Sequence, residues 1–123
     1  MNKVKVTVHP ENSDGDILTL EEDLEIKFRD KMFIVPAGFK CDGASIPGFL
    51  WNKISAPVDP RTLRGAIAHD YLYRNFVPGW DRKEADDLFY QLIREDGLSW
   101  FRSQIAYAGV RMFGKGAWQH DEH

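Results

Sequence analysis

Cysteine is almost absent from this chain, which has a single such residue, Cys41, among 123 residues. One thiol cannot form an internal disulfide, nor a zinc site that is built from several cysteines. An excess of positive charge is also missing, because 16 Lys and Arg residues face 19 Asp and Glu residues for a formal net charge of −3. That balance argues against a nucleic-acid-binding protein, whose affinity depends on basic residues that meet phosphates.

Long apolar runs are absent as well. No stretch has the length of a membrane-spanning helix, and the amino-terminal sequence MNKVKVTV contains no apolar core of a secretory signal. We therefore expect a soluble protein without a membrane span, made in a reducing compartment. A length of 123 residues fits a single domain, residues 1–123, with one hydrophobic core.

The first third of the chain has the alternation of apolar and polar residues that predicts β-strands. Valines alternate with polar residues over positions 4–8. Residues 24–35 show the pattern twice around a polar break at 29–31, which indicates a hairpin. Residues 38–60 are rich in Gly, Pro and Ser, and an irregular connection of this length is often functional.

Three helices are predicted in the carboxyl-terminal half. Asp59 is a favourable N-cap, and Pro60 a favourable first residue, for a helix that extends to about residue 76. Asp81 and Glu84 have the spacing of a capping box for a second helix that ends at Gly97.

Ser99 is the predicted N-cap of the third helix, which ends at Gly114. Its larger apolar residues predict the face that turns toward the core: Phe101, Ile105, Ala108 and Met112. We expect residues 115–123 to form a flexible tail. Strands followed by helices predict an α+β domain with a small antiparallel sheet or hairpin, a long loop and a three-helix carboxyl-terminal half.

His69 and Asp70 fall within the most apolar of these helices, where an unpaired charge costs several kcal/mol. His69 shares a helix face with Gly65 and Tyr73, which are four positions before and after it. Gly65 costs about 1 kcal/mol relative to Ala in a helix, so we interpret it as a place where another backbone or a ligand approaches His69. Asp70 faces the side of Arg74, and we expect it to pair with an arginine or to cap a loop amide.

Asp86 lies on the flank of the apolar stripe of the second helix, whereas its neighbour Asp87 faces solvent. An inward carboxylate beside a buried imidazole fits three kinds of arrangement. It can form a pair of metal ligands, an acid–base pair, or a structural hydrogen bond. The sequence leaves these alternatives open for His69 and Asp86.

Two kinds of hydrolytic chemistry fit the candidate residues. Ser45, His69 and either Asp70 or Asp86 are the residue types of a nucleophilic triad, although the sequence around Ser45 is not a strand–serine–helix elbow. Asp42, His69 and Asp86 are three ligand types for a divalent metal such as zinc, with open positions for water, although no H-E-x-x-H spacing is present. The cofactor is therefore left unknown.

Several short motifs occur in one order along the chain. They are Val35-Pro36-Ala37-Gly38-Phe39, Asp42-Gly43-Ala44-Ser45-Ile46-Pro47, Trp51, His69-Asp70-Tyr71-Leu72-Tyr73, Arg82-Lys83-Glu84-Ala85-Asp86, Phe89 and Glu95-Asp96-Gly97. In this set the chain resembles domain of unknown function 1353, a small family found mainly in tailed bacteriophages and prophages. The resemblance covers about residues 33–114, so the strands of residues 1–32 lie mostly outside it. Cys41 stands where the family more often has Thr, which weakens the case for a catalytic thiol.

The resemblance implies a phage origin, and hence a location in the cytoplasm of a bacterial host or in the virion. The polar signature of the family falls here on Asp42, Ser45, His69, Asp70 and Asp86. Our leading hypothesis is a phage-encoded hydrolase that cuts an amide or peptide bond, for example in cell wall.

In that hypothesis His69 is a general base or metal ligand, and Asp42 and Asp86 are its partners or further ligands. Ser45 is a polar or nucleophilic group. Three further residues are assigned to binding: Trp51, Asp70 and Tyr73.

The alternative hypothesis is a non-enzymatic module that binds other phage virion or tail proteins. The polar residues then form a hydrogen-bond network that fixes the long loop onto the helices. Aromatic residues near helix ends then serve a subunit interface: Trp80, Trp100 and Trp118. A third hypothesis, a cytoplasmic protein directed against host defence, fits the acidic composition but no particular residue.

Overall fold

The structure is a computed structural model that describes residues 4–8, 18–41 and 59–120. The described elements are strands β1 (Val6–Val8), β2 (Leu18–Leu20), β3 (Leu24–Phe28), β4 (Lys31–Val35) and β5 (Lys40–Cys41), helices α1 (Leu63–Arg74), α2 (Arg82–Glu95) and α3 (Trp100–Phe113), and a short 3-10 helix, Gly114–Ala117. Short strands precede three helices, which confirms the predicted α+β class.

The strands form two antiparallel sheets. β3 and β4 are the predicted hairpin, in register Ile26↔Phe33, and the side chains of both residues are buried. β2 lies between β1 and β5, and its Leu18 is opposite Cys41. β2 and β5 were not predicted, because strands of three and two residues are too short to show an alternating pattern.

The predicted start of the first helix is wrong by one turn. Residues 59–62 form a turn, and α1 begins after Thr62. The Asp59 side chain accepts a hydrogen bond from the backbone N–H of Arg61 at 2.8 Å, and its carbonyl accepts one from the N–H of Leu63 at 2.9 Å. Asp followed by Pro is therefore used here as a turn former, which is the other common role of this pair.

The predicted ends of the other two helices are confirmed. The Asp81 side chain accepts a hydrogen bond from the backbone N–H of Glu84 at 2.8 Å and caps α2. Gly97, which follows α2, has φ of 103°, a left-handed conformation that glycine adopts without the steric cost of a Cβ. The Ser99 side chain caps α3 by accepting a hydrogen bond from the N–H of Arg102 at 3.3 Å.

Gly65 is the point where α1 and α2 approach each other. A Cβ at this position would lie 2.9 Å from Ile93 Cγ2 and 3.2 Å from Phe89 Cδ1. The glycine therefore makes room for side chains of α2, which corrects the interpretation that it admits a ligand or another backbone. The predicted core face of α2 is confirmed, because its apolar residues are buried: Ala85, Leu88, Phe89, Leu92 and Ile93.

The predicted core face of α3 is wrong. Phe101 and Met112 are exposed, Ala108 is exposed and Ile105 is only half-buried. The residues that face the core are small or medium in size: Ser103, Ala106, Gly109 and Val110. Small side chains let α3 pack closely on the rest of the protein, whereas a sequence pattern is dominated by the larger apolar residues.

Residues 118–120 pack against α1, in contrast to the flexible tail that was expected for residues 115–123, of which 121–123 lie outside the described residues. The Trp118 ring meets the Tyr73 ring edge-on at a centroid distance of 5.0 Å. The backbone N–H of Gln119 donates to the carbonyl of Tyr73 at 3.0 Å, and His120 Nε2 donates to the carbonyl of Leu72 at 2.9 Å. None of the helices in the described ranges has the length and apolarity that a membrane crossing requires.

Candidate functional site: a buried histidine–aspartate–tyrosine network

The centre of the candidate site is the carboxylate of Asp86, on α2. His69 Nε2 lies 2.7 Å from Asp86 Oδ1, and the hydroxyl of Tyr73 donates to the same oxygen at 2.6 Å. His69 and Tyr73 are one turn apart on α1, and all three side chains have 0% of their surface exposed. This arrangement confirms the predicted inward position of Asp86 beside His69.

Two arginines complete the surroundings of this carboxylate. Arg111, on α3, donates to Asp86 Oδ2 at 2.7 Å. Arg82 lies 3.5 Å from the same oxygen and also donates to the Tyr73 hydroxyl at 3.3 Å and to the Val110 carbonyl at 3.1 Å. All three helices therefore contribute to one set of polar contacts, which we call the Asp86 network: His69, Tyr73, Arg82, Asp86 and Arg111.

The pattern of donors determines where the proton of the imidazole lies. The guanidinium groups are donors only, and the oxygen of Tyr73 already accepts from Arg82, so its proton points to Asp86. Asp86 then accepts a hydrogen bond from each of its neighbours. In the hydrogen bond between His69 and Asp86, the proton therefore lies on His69 Nε2.

The electrostatics of the network shift the pKa of two of its members. Burial, followed by the hydrogen bond to Asp86, raises the pKa of Tyr73 well above its ordinary value of 10.0. Partial burial acts to lower the pKa of Arg111, but the hydrogen bond and charge of Asp86 outweigh it and raise the pKa. Both side chains therefore stay donors to the carboxylate at neutral pH.

Asp70 pairs with an arginine, as expected. Its Oδ2 accepts from Arg74 at 3.2 Å, within the same helix, and the Asp70 side chain is buried. Arg74 also donates to the carbonyl of Lys40 in β5 at 2.7 Å. Asp70 thus helps to fix α1 against the strand that immediately precedes residues 42–58.

Three predicted site residues lie outside the described residues: Asp42, Ser45 and Trp51. The proposed triad and the proposed metal site both depend on them, so both stay predictions. Within the described ranges no group of three His, Cys, Asp or Glu residues is arranged to hold a metal ion. Asp86 is engaged at both oxygens, and coordination of a metal would compete with these protein donors.

The sequence analysis missed the two arginines of the network. Arg82 is four positions before Asp86, which is a recognisable spacing for an ion pair on one helix. Arg111 is 25 positions after Asp86, and no local pattern connects the two. It also missed Arg64, which pairs with Asp96 at 3.1 Å and joins α1 to the end of α2.

A surface cavity in the described part of the chain lies on a different side of α2. It has a volume of about 690 Å³ and is open to solvent. Its lining includes Asp87 but no member of the Asp86 network: Phe28, Arg29, Asp87, Tyr90, Gln91, Arg94, Glu95, Gln104 and Tyr107. Asp87, which was predicted to face solvent, lies at this open cavity with 16% of its side-chain surface exposed.

Fold and site together define a class: a small α+β domain in which three helices enclose a histidine–carboxylate pair. The chain belongs to the family described as "Protein of unknown function (DUF1353)", whose model matches residues 18–110. The match begins before the expected start at residue 33, so it includes β2 and β3. This confirms the family to which the sequence motifs pointed.

Two curated relatives come from Sinorhizobium fredii. Uncharacterized protein y4jT is 32% identical over 82 residues, which are 65% of this chain and 23% of the relative. Uncharacterized protein y4iH is 32% identical over 75 residues, which are 61% of this chain and 30% of the relative. The chain thus spans less than a third of each relative, and neither name states an activity. No solved structure matches the chain significantly.

Proposed function

We propose that this chain is a hydrolase domain in which His69 acts as the general base. The observation that supports the proposal is the contact of 2.7 Å between His69 Nε2 and Asp86 Oδ1. The Asp86 carboxylate also accepts hydrogen bonds from Tyr73 and Arg111. A carboxylate in this position selects the tautomer and the orientation of the imidazole, as in other histidine-dependent hydrolases. Phage origin and a cell-wall amide or peptide bond remain the expected context and substrate.

The chemistry requires only water as a second reactant. The imidazole of His69 takes a proton from a water molecule as the water oxygen bonds to the carbonyl carbon of the substrate. The bond from that carbon to the leaving nitrogen or oxygen then breaks, and the proton passes from the imidazole to the leaving group. The products are a carboxylic acid and an amine or alcohol, and His69 returns to its starting state.

The remaining members of the network are positioning residues in this proposal. Tyr73 and Arg111 each hold one oxygen of Asp86, at 2.6 and 2.7 Å. Contacts of this length leave little rotational freedom to the carboxylate, and therefore to the ring that it holds. Removal of either residue should lower turnover through the orientation of His69.

One observation favours a second candidate, a non-enzymatic virion or tail-associated module. The side chain of His69 has 0% of its surface exposed. A fully enclosed polar network that joins three helices can also serve to specify one packing of the core. In that case the network stabilises the fold and has no substrate.

The test separates these candidates with a variant that keeps the hydrogen bond and removes the base. In His69→Gln the side-chain amide can still donate to Asp86, but it cannot accept a proton as imidazole does. Purified chain is assayed on peptidoglycan fragments, peptide amides and carboxylic esters, including phospholipid vesicles. His120→Gln is the control, because His120 contacts Leu72 and not the network.

A hydrolase should lose turnover by a factor of about 10² or more in His69→Gln with little change in melting temperature, whereas the control stays active. Turnover that survives His69→Gln would contradict the assignment of the base. If the wild-type chain releases no product from any substrate of the panel and His69→Gln melts at lower temperature, the structural role is favoured.

A further inference from the structure

The outward face of α3 carries large apolar side chains that are open to solvent. Met112 is 72% exposed, Phe101 67% and Trp100 61%. Phe101, Ala108 and Met112 follow one another at seven and four positions, so they lie on one side of the helix over a length of ~16 Å. We call this surface the α3 face, defined by Trp100, Phe101, Ala108 and Met112.

The charged side chains that α3 itself carries are of one sign, Arg102 and Arg111. Residues 97–120 contain three of the 16 basic residues and none of the 19 acidic ones, in a chain whose net charge is −3. Arg111 is engaged by Asp86. Arg102 and Lys115, near the two ends of the helix, are exposed and form no ion pair with any residue that the structure describes. An acidic protein therefore has a local cationic and apolar surface.

A second exposed apolar surface, in the part of the chain that the structure describes, is different. Met32 and Ile34, on β4, are 53% and 47% exposed. Their partners across the hairpin are Lys27 and Glu25, whose charges pair with each other at 3.5 Å. The charges of Lys27 and Glu25 neutralise each other, so that surface attracts neither anions nor cations.

We propose that the α3 face docks on an anionic lipid surface. Trp, Phe and Met side chains next to unpaired Arg and Lys are the composition of helices that lie in the headgroup region of a bilayer. Each basic residue near an anionic surface contributes attraction, and the apolar side chains bury area among the acyl chains. The proposal goes beyond the hydrolase and holds whether or not His69 is catalytic.

The same charges make a second copy of this chain a poorer occupant. Two α3 faces packed antiparallel would bring Arg102 of one copy toward Lys115 of the other. Like charges in contact disfavour such a pairing. Lipid phosphates supply the missing negative charge.

The test is sedimentation of the purified chain with vesicles of phosphatidylcholine alone and of phosphatidylcholine mixed with phosphatidylglycerol. We expect binding to the mixed vesicles to be at least roughly tenfold tighter, and to weaken as salt is added. Two double variants should each reduce that binding about tenfold or more. One carries Phe101→Ser and Met112→Ser, and the other carries Arg102→Glu and Lys115→Glu. The matched control is Met32→Ser with Ile34→Ser, which should bind like the wild type.

Two further measurements complete the test. Melting temperatures show that the variants are folded, and light scattering gives the oligomeric state in solution. The proposal is overturned if the chain binds neither type of vesicle, binds both equally, or loses binding equally in the β4 control. It is also overturned if the wild type is a dimer that the α3 variants dissociate, because the α3 face is then an interface between copies of the chain.

Discussion

Asp86 and Asp87 are neighbours on α2 with similar local partners and different surroundings. Each accepts a tyrosine hydroxyl at 2.6 Å, Asp86 from Tyr73 and Asp87 from Tyr107. Each also has a basic residue four positions earlier in the helix. The Asp86 side chain is 0% exposed among three helices, whereas that of Asp87 is 16% exposed at the edge of the open cavity.

The comparison teaches that local sequence does not decide what a carboxylate does. Successive residues of a helix point about 100° apart, so one step along α2 moves the side chain from the core to the surface. Water can replace a lost partner at Asp87 but not at Asp86. We therefore expect equal substitutions at the two positions to have unequal effects.

The largest expected effect comes from neutralising the two carboxylates in turn. Asp86→Asn leaves two guanidinium groups without their counter-charge and should lower the free energy of unfolding by about 3–5 kcal/mol. Asp87→Asn removes pairs with exposed cations and should cost about 1 kcal/mol or less. Urea denaturation of both variants measures the difference. Similar losses in the two variants would show that burial is not what distinguishes them.

The next effect concerns the close packing that encloses Asp86. In Gly65→Ala the new Cβ collides with Ile93 and Phe89, and the ring of Phe89 lies 5.0 Å from that of His69. Overpacking of about 1–3 kcal/mol should exceed the gain of about 1 kcal/mol in helix propensity, so the variant is destabilised. Gly116→Ala is the control, because nothing lies within 4 Å of its Cβ. A stabilised Gly65→Ala variant would contradict this packing.

A smaller effect is expected from the two tyrosine hydroxyls. Tyr73→Phe removes one donor from a buried carboxylate and should cost about 1–3 kcal/mol at neutral pH. Tyr107→Phe removes a donor from Asp87, which water can replace, and should cost less. Thermal denaturation compares the loss of stability in the two variants. A larger loss in Tyr107→Phe than in Tyr73→Phe would contradict the expected order.

The alkaline pH dependence of stability should show the same contrast at Tyr73. Because burial and then Asp86 raise its pKa in the folded protein, its contribution is complete below the unfolded pKa of about 10 and is lost as pH rises beyond it. The wild type should therefore lose stability above pH ~10 more steeply than Tyr73→Phe. Urea titrations at several alkaline pH values measure the two slopes, and identical slopes would contradict the assignment.

The smallest expected effect is acid dependence at Asp87. Partial burial acts to raise its pKa, but hydrogen bonds from Tyr107 and Lys83 outweigh it and lower the pKa. Because the pKa of Asp87 is lower in the folded protein, its ionised form stabilises the fold above the unfolded-state pKa of about 4. This stabilisation is lost as pH falls through the pKa of the folded protein. The small stability difference between wild type and Asp87→Asn should therefore vanish in strong acid. A difference that persists there would show that it does not come from ionisation.

Sequence reasoning succeeded where the signal is local. Helix caps at Asp81 and Ser99 involve groups three residues apart, so their spacing is sufficient to predict them. The burial of α1 on nearly all sides and the buried face of α2 were also predicted, because α1 is the most apolar helix and large apolar residues mark one stripe of α2. With those faces known, His69 and Asp86 had to point into the same core.

Prediction from the sequence failed where packing between distant segments determines which residues are buried. The inward face of α3 is made of Ser103, Ala106, Gly109 and Val110, whose small size suits close contact but is not conspicuous in a pattern of hydrophobicity. The residues from Trp118 to His120 pack on α1, although their sequence resembles a polar end of the chain. Such contacts depend on complementary shapes, which a linear pattern does not contain.

The sequence by itself determined the α+β order, the family, and the presence of a histidine and a carboxylate within the helical core. Only the tertiary structure decided that Arg111 reaches Asp86, that His69 donates through Nε2, and that the larger apolar residues of α3 face outward. The physical reason is distance. Caps and helix faces depend on neighbours within a few residues, whereas the Asp86 network and the α3 face exist only after three helices have packed together.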